Sequence, residues 1–263
     1  MELFYLLGMG ALAGTLAGLL GIGGGIIIVP VLAWVFKLQG VSDDVLMHVA
    51  IGTSLGTIVI TSLSSIRAHQ KRAAIDWVIF RNITPGILLG GLIGAAIASV
   101  IPGRELRILF GIFMLLVAAQ MILGGQPRPS RTLPGRIGMN LVGTAIGTVA
   151  ALMGVGGGSM SVPYLAWSNI DVRRAVATSA AIGFPIAVSG AIGFLISGWD
   201  VPHRPPWSLG YINLPAFIGI ITASILFAPL GAGLAHRIPP RLLKRVFGFF
   251  LLLVGLRMLI GLS

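Results

Sequence analysis

The sequence predicts an all-α polytopic membrane protein of two inverted-topology repeats, each a glycine-broken re-entrant or split helix followed by about three transmembrane helices, about 8–10 segments in total. Composition is the first observation behind this: 56% of the 263 residues are hydrophobic, 10% are charged and mean hydropathy is +0.99. No soluble domain of this size could cover so much apolar surface. The second is an internal duplication. GTLAGLLGIGGGIIIVPVLAW at Gly14–Trp34 returns as GTVAALMGVGGGSMSVPYLAW at Gly147–Trp167, with thirteen of twenty-one positions identical. The third is the placement of Lys and Arg, which sorts onto two sides only if each broken element enters the bilayer and returns.

In chain order, the apolar runs span Leu3–Leu20, Ile26–Phe36, Val45–Ile66, Ile83–Ile101, Leu106–Leu123, Ile137–Met153, Ser159–Trp167, Val176–Ile196, Ile212–Ala235 and Val246–Leu262. Several reach the roughly 20 residues of a spanning helix, whereas Ile26–Phe36 and Ser159–Trp167 are too short to cross unaided. The first run has Glu2 where a secretory signal has basic residues, and it recurs at Ile137, so it reads as structure. Beyond the glycines, Ala50–Ser54 matches Ala175–Ser179 and Leu106–Leu123 matches Leu243–Ile260. The expected organisation is a first repeat over 1–123, a linker over 124–136 and a second repeat over 137–263, in one integral membrane domain.

If each broken element crosses once, the 18 basic residues divide evenly and specify no orientation. If each enters and returns, thirteen collect on the side of the 124–136 linker, against Lys37, Arg104, Arg107, Arg204 and Arg257 on the other. The positive-inside rule then puts the linker in the cytoplasm and both termini outside. The net charge of +11 is dispersed over short connections and makes no nucleic-acid surface. Without cysteine, disulfides, thiol chemistry and Cys-ligated metals are excluded, and the pattern calls for no metal, no cofactor and no catalytic residue.

The candidate substrate site lies at the two glycine clusters. Gly23, Gly24 and Gly25, with Gly156, Gly157 and Gly158, let the backbone leave the helix and approach a bound group closely. Half-helices starting at Ile26 and Ser159 would present N–H groups without intrahelical acceptors, an anion site made of backbone donors. Thr53 and Ser54 with Thr178 and Ser179 recur in both halves and are candidate hydroxyl donors, whereas Thr57, Thr61 and Ser64 are expected to bond their own helix. Ser159 and Ser161 replace Ile26 and Ile28, so the site is expected to be asymmetric. Pro30 and Pro163 mark kinks. Gly86, Gly90 and Gly94, spaced by four, read as a packing face. Gly24→Leu and Gly157→Leu are accordingly expected to abolish anion binding in a folded protein, and Gly90→Leu to damage folding. His48 and His69 are expected at the interface, as candidates for a proton or gating role. Asn140, Gln120 and Asn213 are lesser polar candidates. GIGGGI and GVGGGS lack the last glycine of a dinucleotide fingerprint and the Lys-Ser/Thr of a phosphate loop.

The duplicated G-[IV]-G-G-G-x-x-x-V-P-x-L stretch, the Thr-Ser elements and the His69-x-Lys71-Arg72 loop together resemble the TauE/SafE sulfite-exporter family over essentially the full length. The matching positions are Gly21–Gly25 with Pro30, Thr53-Ser54, His69, Gly154–Gly158 with Pro163, and Thr178-Ser179; Phe194 stands where a second His69 would fall. This resemblance implies a multi-pass secondary transporter of a bacterial cytoplasmic membrane that exports a small sulfur-containing anion such as sulfite, sulfoacetate or thiosulfate; with no nucleotide-binding motif in the sequence, a proton or ion gradient or the substrate gradient itself is the expected energy source. The residues alone indicate an anion at the midplane. An anion channel with the same site, a carrier of another small anion, an intramembrane enzyme and a membrane scaffold stay open as alternatives. Saturable flux with counterflow separates the carrier from the channel, and the absence of a His, Asp or Glu cluster in the long runs counts against the enzyme.

Overall fold

The computed structural model describes residues 25–71, 73–124, 132–235 and 240–260. The first apolar run, Gly21, Gly23, Gly24 and most of the linker lie outside them. The chain is an all-α polytopic membrane protein. Its helices are α1 (Gly25–Leu38), α2 (Asp43–Gln70), α3 (Trp77–Val100), α4 (Gly103–Leu123), α5 (Arg136–Leu152), α6 (Gly158–Trp167), α7 (Val172–Ser197), α8 (Leu214–Ala235) and α9 (Pro240–Ile260), with a hairpin of β1 (Ser208–Leu209) and β2 (Ile212–Asn213) between α7 and α8. By length and composition α2, α3, α4 and α7 can each cross a bilayer. At 10 residues α6 is about 15 Å long, half of the hydrocarbon thickness.

α2, α3 and α7 begin ahead of their apolar runs because polar residues cap them. Asp76 accepts from Val78 and Ile79 N–H, both at 3.1 Å, and Asp171 from Arg173 and Arg174 N–H at 2.9 and 3.4 Å. Each carboxylate thus satisfies donors that a helix start leaves without partners. α1 and α6 end alike. Gly40 (φ 75°) and Asn169 (φ 63°) take the left-handed conformation, and the next N–H reaches back to Phe36 O (3.0 Å) and Leu165 O (3.1 Å), closing a Schellman cap. Pro30 and Pro163 lie inside these two short helices.

Close glycine contacts fix the helix directions. Gly86, Gly90 and Gly94 of α3 abut the carbonyls of Asn140, Thr144 and Thr148 of α5, leaving no room for a Cβ. The seam is reciprocal, since a Cβ on Gly143 or Gly147 of α5 would come within 2.5 or 2.6 Å of Ile83 or Ile87 O. These glycines therefore form the expected packing face. Their constant sequence difference makes α3 and α5 parallel. Gly91 against Ser189 and Ala95 against Gly193 make α3 and α7 parallel too. Because α5 and α7 share a direction, the chain must reverse between Met153 and Val172, and α6 is the returning limb. In the other pair, Gly111 lies on Leu259 and Gly255, and Gly248 on Ile122 and Ala118, so α4 and α9 are antiparallel.

These directions bring Arg67, Lys71, Arg81, Arg136, Arg173 and Arg174 to the end where the linker lies, and Lys37, Arg104, Arg107 and Arg204 to the opposite, hairpin end. At the centre are α2 and α7, with 83% and 61% of their apolar windows buried, against 28% for peripheral α4. One continuous apolar core, including Ile28, Leu32, Ile51, Leu55, Ile83 and Phe110, surrounds them.

Candidate functional site

In the second repeat the glycine cluster forms at the end of α5. Gly154 (φ 66°) donates to Ala151 O at 3.1 Å and Val155 to Ala150 O at 2.9 Å, a Schellman cap whose left-handed residue has to be glycine or pay steric strain. Four residues later α6 begins. Its first hydrogen bonds run from Met160 and Ser161 N–H to Gly157 O at 3.3 and 2.8 Å. The N–H groups of Gly157, Gly158 and Ser159 therefore have no acceptor in their own helix, and together with the helix dipole they favour negative charge.

Both repeats meet at this loop. A Cβ on Gly25 would lie 2.6 Å from Gly154 O and 2.8 Å from Val155 Cα, so the first residue of α1 packs directly on the second cluster. Ser54 Oγ donates to Gly154 O at 2.8 Å from the middle of α2. On the other side Gly157 lies against α7, where a Cβ would meet Ser179 O and Ile182 Cγ2 at 3.0 Å. Gly156 and Gly157 are buried, and Gly158 and Ser159 are half-buried.

Three hydroxyls lie in these surroundings without partners among the described residues. The side-chain oxygens of Ser159, Ser161 and Ser179 are buried and make no hydrogen bond among the described residues, and Ser161 and Ser179 are 0% exposed. Buried hydroxyls are normally satisfied, so three around one helix start mark a place where a polar ligand could bind. Among the described residues no Lys, Arg, Asp or Glu is buried, so the donors there are neutral.

The Thr-Ser pairs divide their work. Ser54 Oγ bonds the glycine loop and the Ser179 backbone lies against it, whereas Thr53 Oγ1 accepts from Asn213 N–H at 2.9 Å and Thr178 Oγ1 from Asp76 N–H at 3.0 Å. Asn213 and Asp76 open α8 and α3, so each threonine holds the start of a helix from the other half of the chain. Thr57 and Thr61 bond carbonyls of their own helix as expected, Thr57 to Ser54 O at 2.7 Å and Thr61 to Thr57 O at 3.2 Å.

The histidines do not join the loop. His48 was expected at the interface but is only 4% exposed. Its Nε2–H donates to Ala98 O (3.0 Å) and Ile101 O (3.1 Å), and its ring stacks on Tyr211 at 5.0 Å. The carbonyl end of α3 and the hairpin together bury it, which a hydropathy profile of α2 alone does not register. His69 is half-buried near the far end of α2. Tyr211 was not singled out from the sequence. The available signal was Gly210 between two short apolar-polar pairs, a two-residue turn with φ 55° at its first position. Burial pushes the Tyr211 phenol up, against the pull of Arg204, so it is neutral.

Two of the expected site residues, Gly23 and Gly24, lie outside the described residues. The separation of site glycines from packing glycines needs correction. Gly25 and Gly157 are themselves closely packed, so Gly157→Leu would disturb α7 as well as any ligand.

A family model described as Sulfite exporter TauE/SafE matches residues 6–258. The chain belongs to this family. Its TauE/SafE relatives include a "Probable membrane transporter protein" of Haemophilus influenzae, 36% identical and aligned over 95% of both chains. Another is the "Probable membrane transporter protein MJ0441" of Methanocaldococcus jannaschii, 30% identical over 96% of this chain and 93% of that one. A third, the "Probable membrane transporter protein YunE" of Bacillus subtilis, is 29% identical over 98% of each. No solved structure matches this TauE/SafE chain.

Proposed function

We propose that this protein is a secondary transporter that exports a small sulfur-containing anion of the sulfite, sulfoacetate or thiosulfate type across the bacterial cytoplasmic membrane. The observation that carries the reading is the α6 start, where N–H groups without an acceptor in their own helix meet three buried hydroxyls that have no partner among the described residues, which bury no Lys, Arg, Asp or Glu. Such a site suits an anion and would serve a cation poorly. Family membership supports transport, and the family's description supports a sulfite-type cargo.

Inverted repeats and alternating access belong to the same reading. Equivalent helices α4 and α9 run antiparallel, as a two-fold axis in the membrane plane requires. Thr53 holds Asn213 while its equivalent Thr178 holds Asp76, a reciprocal exchange that such an axis generates. The two clamps lie on opposite sides of the glycine loop, so releasing one while keeping the other would open the site to one side at a time. The positive-inside rule assigns the Arg-rich linker end to the cytoplasm and both termini to the outside. Proton or ion coupling, or the substrate gradient itself, would drive export.

Flux of radiolabelled sulfite and thiosulfate in proteoliposomes tests this. Saturable uptake accelerated by unlabelled anion on the opposite side is expected. Unsaturable conductance would replace the carrier by a channel, and thermal stabilisation by cations but not by anions would remove the anion reading altogether.

A further inference from the structure

Every donor that the described residues bring near the start of α6 is neutral: the N–H groups of Gly157, Gly158 and Ser159 and the hydroxyls of Ser159, Ser161 and Ser179. Among the described residues no Lys or Arg is buried, and residues 1–24 contain neither. The positive field therefore comes from helix ends. One end is equivalent to roughly half an elementary charge, so α6 and the half-helix that the duplication implies in the first repeat sum to about one. Desolvation grows with the square of the charge, so a dianion costs about four times as much to bury as a monoanion. Acceptors are present too. Ser179 O lies against Gly157, and Gly154 O already receives the Ser54 hydroxyl at 2.8 Å. These carbonyls oppose a second negative charge but can accept a hydrogen from a ligand that still carries one.

We propose that the site takes a singly charged oxyanion, so that for an acid whose second ionisation lies near neutrality, such as sulfurous acid, the bound species is the hydrogen form. This rests on the reading of the glycine loop as the substrate site. Affinity then follows the ligand's own titration. Of the titratable groups on the helices around the loop, Tyr164 is on α6 and His48 on α2, with the His48 Nε2 proton held by Ala98 and Ile101. Lys37 of α1, Arg136 of α5, and Arg173 and Arg174 of α7 lie near helix ends, and the remaining charged residues and His69 of α2 are in its first turn or its last.

The test is calorimetric titration of the purified full chain with nitrate and methanesulfonate, which are permanent monoanions, with sulfate and with sulfite, at pH values on both sides of sulfite's second ionisation. The monoanions are expected to bind with a pH-independent Kd and sulfate about tenfold or more weakly. The apparent Kd of sulfite is expected to rise about tenfold per pH unit on the alkaline side. Sulfate binding as tightly as methanesulfonate, or a flat sulfite profile, would overturn the charge rule and leave the anion reading intact. A parallel loss of methanesulfonate affinity would assign the slope to a protein group and overturn it too. Failure of every anion at every pH would remove the function reading, and the charge rule with it.

Discussion

Ser54 and Ser179 occupy equivalent positions in the two halves, yet replacing each with alanine should move stability in opposite directions. Ser54 Oγ donates to Gly154 O at 2.8 Å, so Ser54→Ala leaves a buried carbonyl without that donor. The loss is about 1–2 kcal/mol, the net worth of one such bond plus the burden of its unpaired partner. Ser179 is 0% exposed and has no partner among the described residues, so its hydroxyl is read as desolvated in the folded chain. Ser179→Ala removes that penalty and should stabilise the ligand-free protein by about 1 kcal/mol, or roughly 2–4 °C in Tm. Its cost should appear only with ligand. A hydrogen bond to a charged partner is worth about 1.5–3 kcal/mol, so the variant should bind anion roughly tenfold to a hundredfold more weakly. Thermal denaturation in detergent, with and without saturating anion, reads both effects. A Ser179→Ala protein destabilised like Ser54→Ala, with unchanged affinity, would refute the assignment of this hydroxyl to ligand.

At the α3–α5 seam, Gly90→Leu would drive a side chain into the Thr144 carbonyl. The expected penalty is about 1–3 kcal/mol or more, seen as loss of monodisperse protein on size-exclusion chromatography; an unperturbed variant would contradict the seam. Thr53→Val and Thr178→Val each leave a backbone N–H, of Asn213 or Asp76, without its acceptor. Each should cost about 1–3 kcal/mol in thermal denaturation, and the double variant about the sum, because the sites are distant. Two neutral singles would remove the clamps. The chain has no cysteine, so single cysteines report topology cleanly. A membrane-impermeant maleimide applied to intact cells should label Pro202→Cys but not Pro134→Cys, and the reverse pattern would invert the proposed orientation.

The sequence made the helical class, the interruption in the second repeat and the glycine seam legible because each leaves a periodic or repeated trace. Gly86, Gly90 and Gly94 recur every fourth residue, and the partner residues Asn140, Thr144 and Thr148 carry the same spacing. Roles set by direction were not legible. Thr53 and Ser54 are neighbours in sequence but point about 100° apart on a helix. One therefore reaches the start of α8 and the other the glycine loop, a division that a Thr-Ser motif read as one unit conceals. His48 was misplaced for a related reason. Its surroundings come from α3 and the 208–213 hairpin, both remote in sequence, and a short hairpin leaves almost no hydropathy signal. Helix starts moved outward because Asp76 and Asp171 cap turns that an apolar count assigns to loops.

A duplicated scaffold need not carry a symmetric site, and the differences between the halves all point one way. Where the second repeat has Ser159 and Ser161, the first has Ile26 and Ile28, which are 5% and 1% exposed within the apolar core. Where the Ser179 hydroxyl has no partner among the described residues, Ser54 commits its own to Gly154 O. The first half thus supplies a brace for the loop, and the second supplies the hydroxyls that have no partner among the described residues. On the proposed reading, an ion near α6 would be held by N–H and hydroxyl groups beside the apolar core to which Ile26, Ile28 and Val155 belong, and that core excludes water. That exclusion strengthens each neutral donor by lowering the local dielectric. It also raises the penalty for excess charge, so on the proposed reading neutral donors that suffice for one negative charge would not suffice for two.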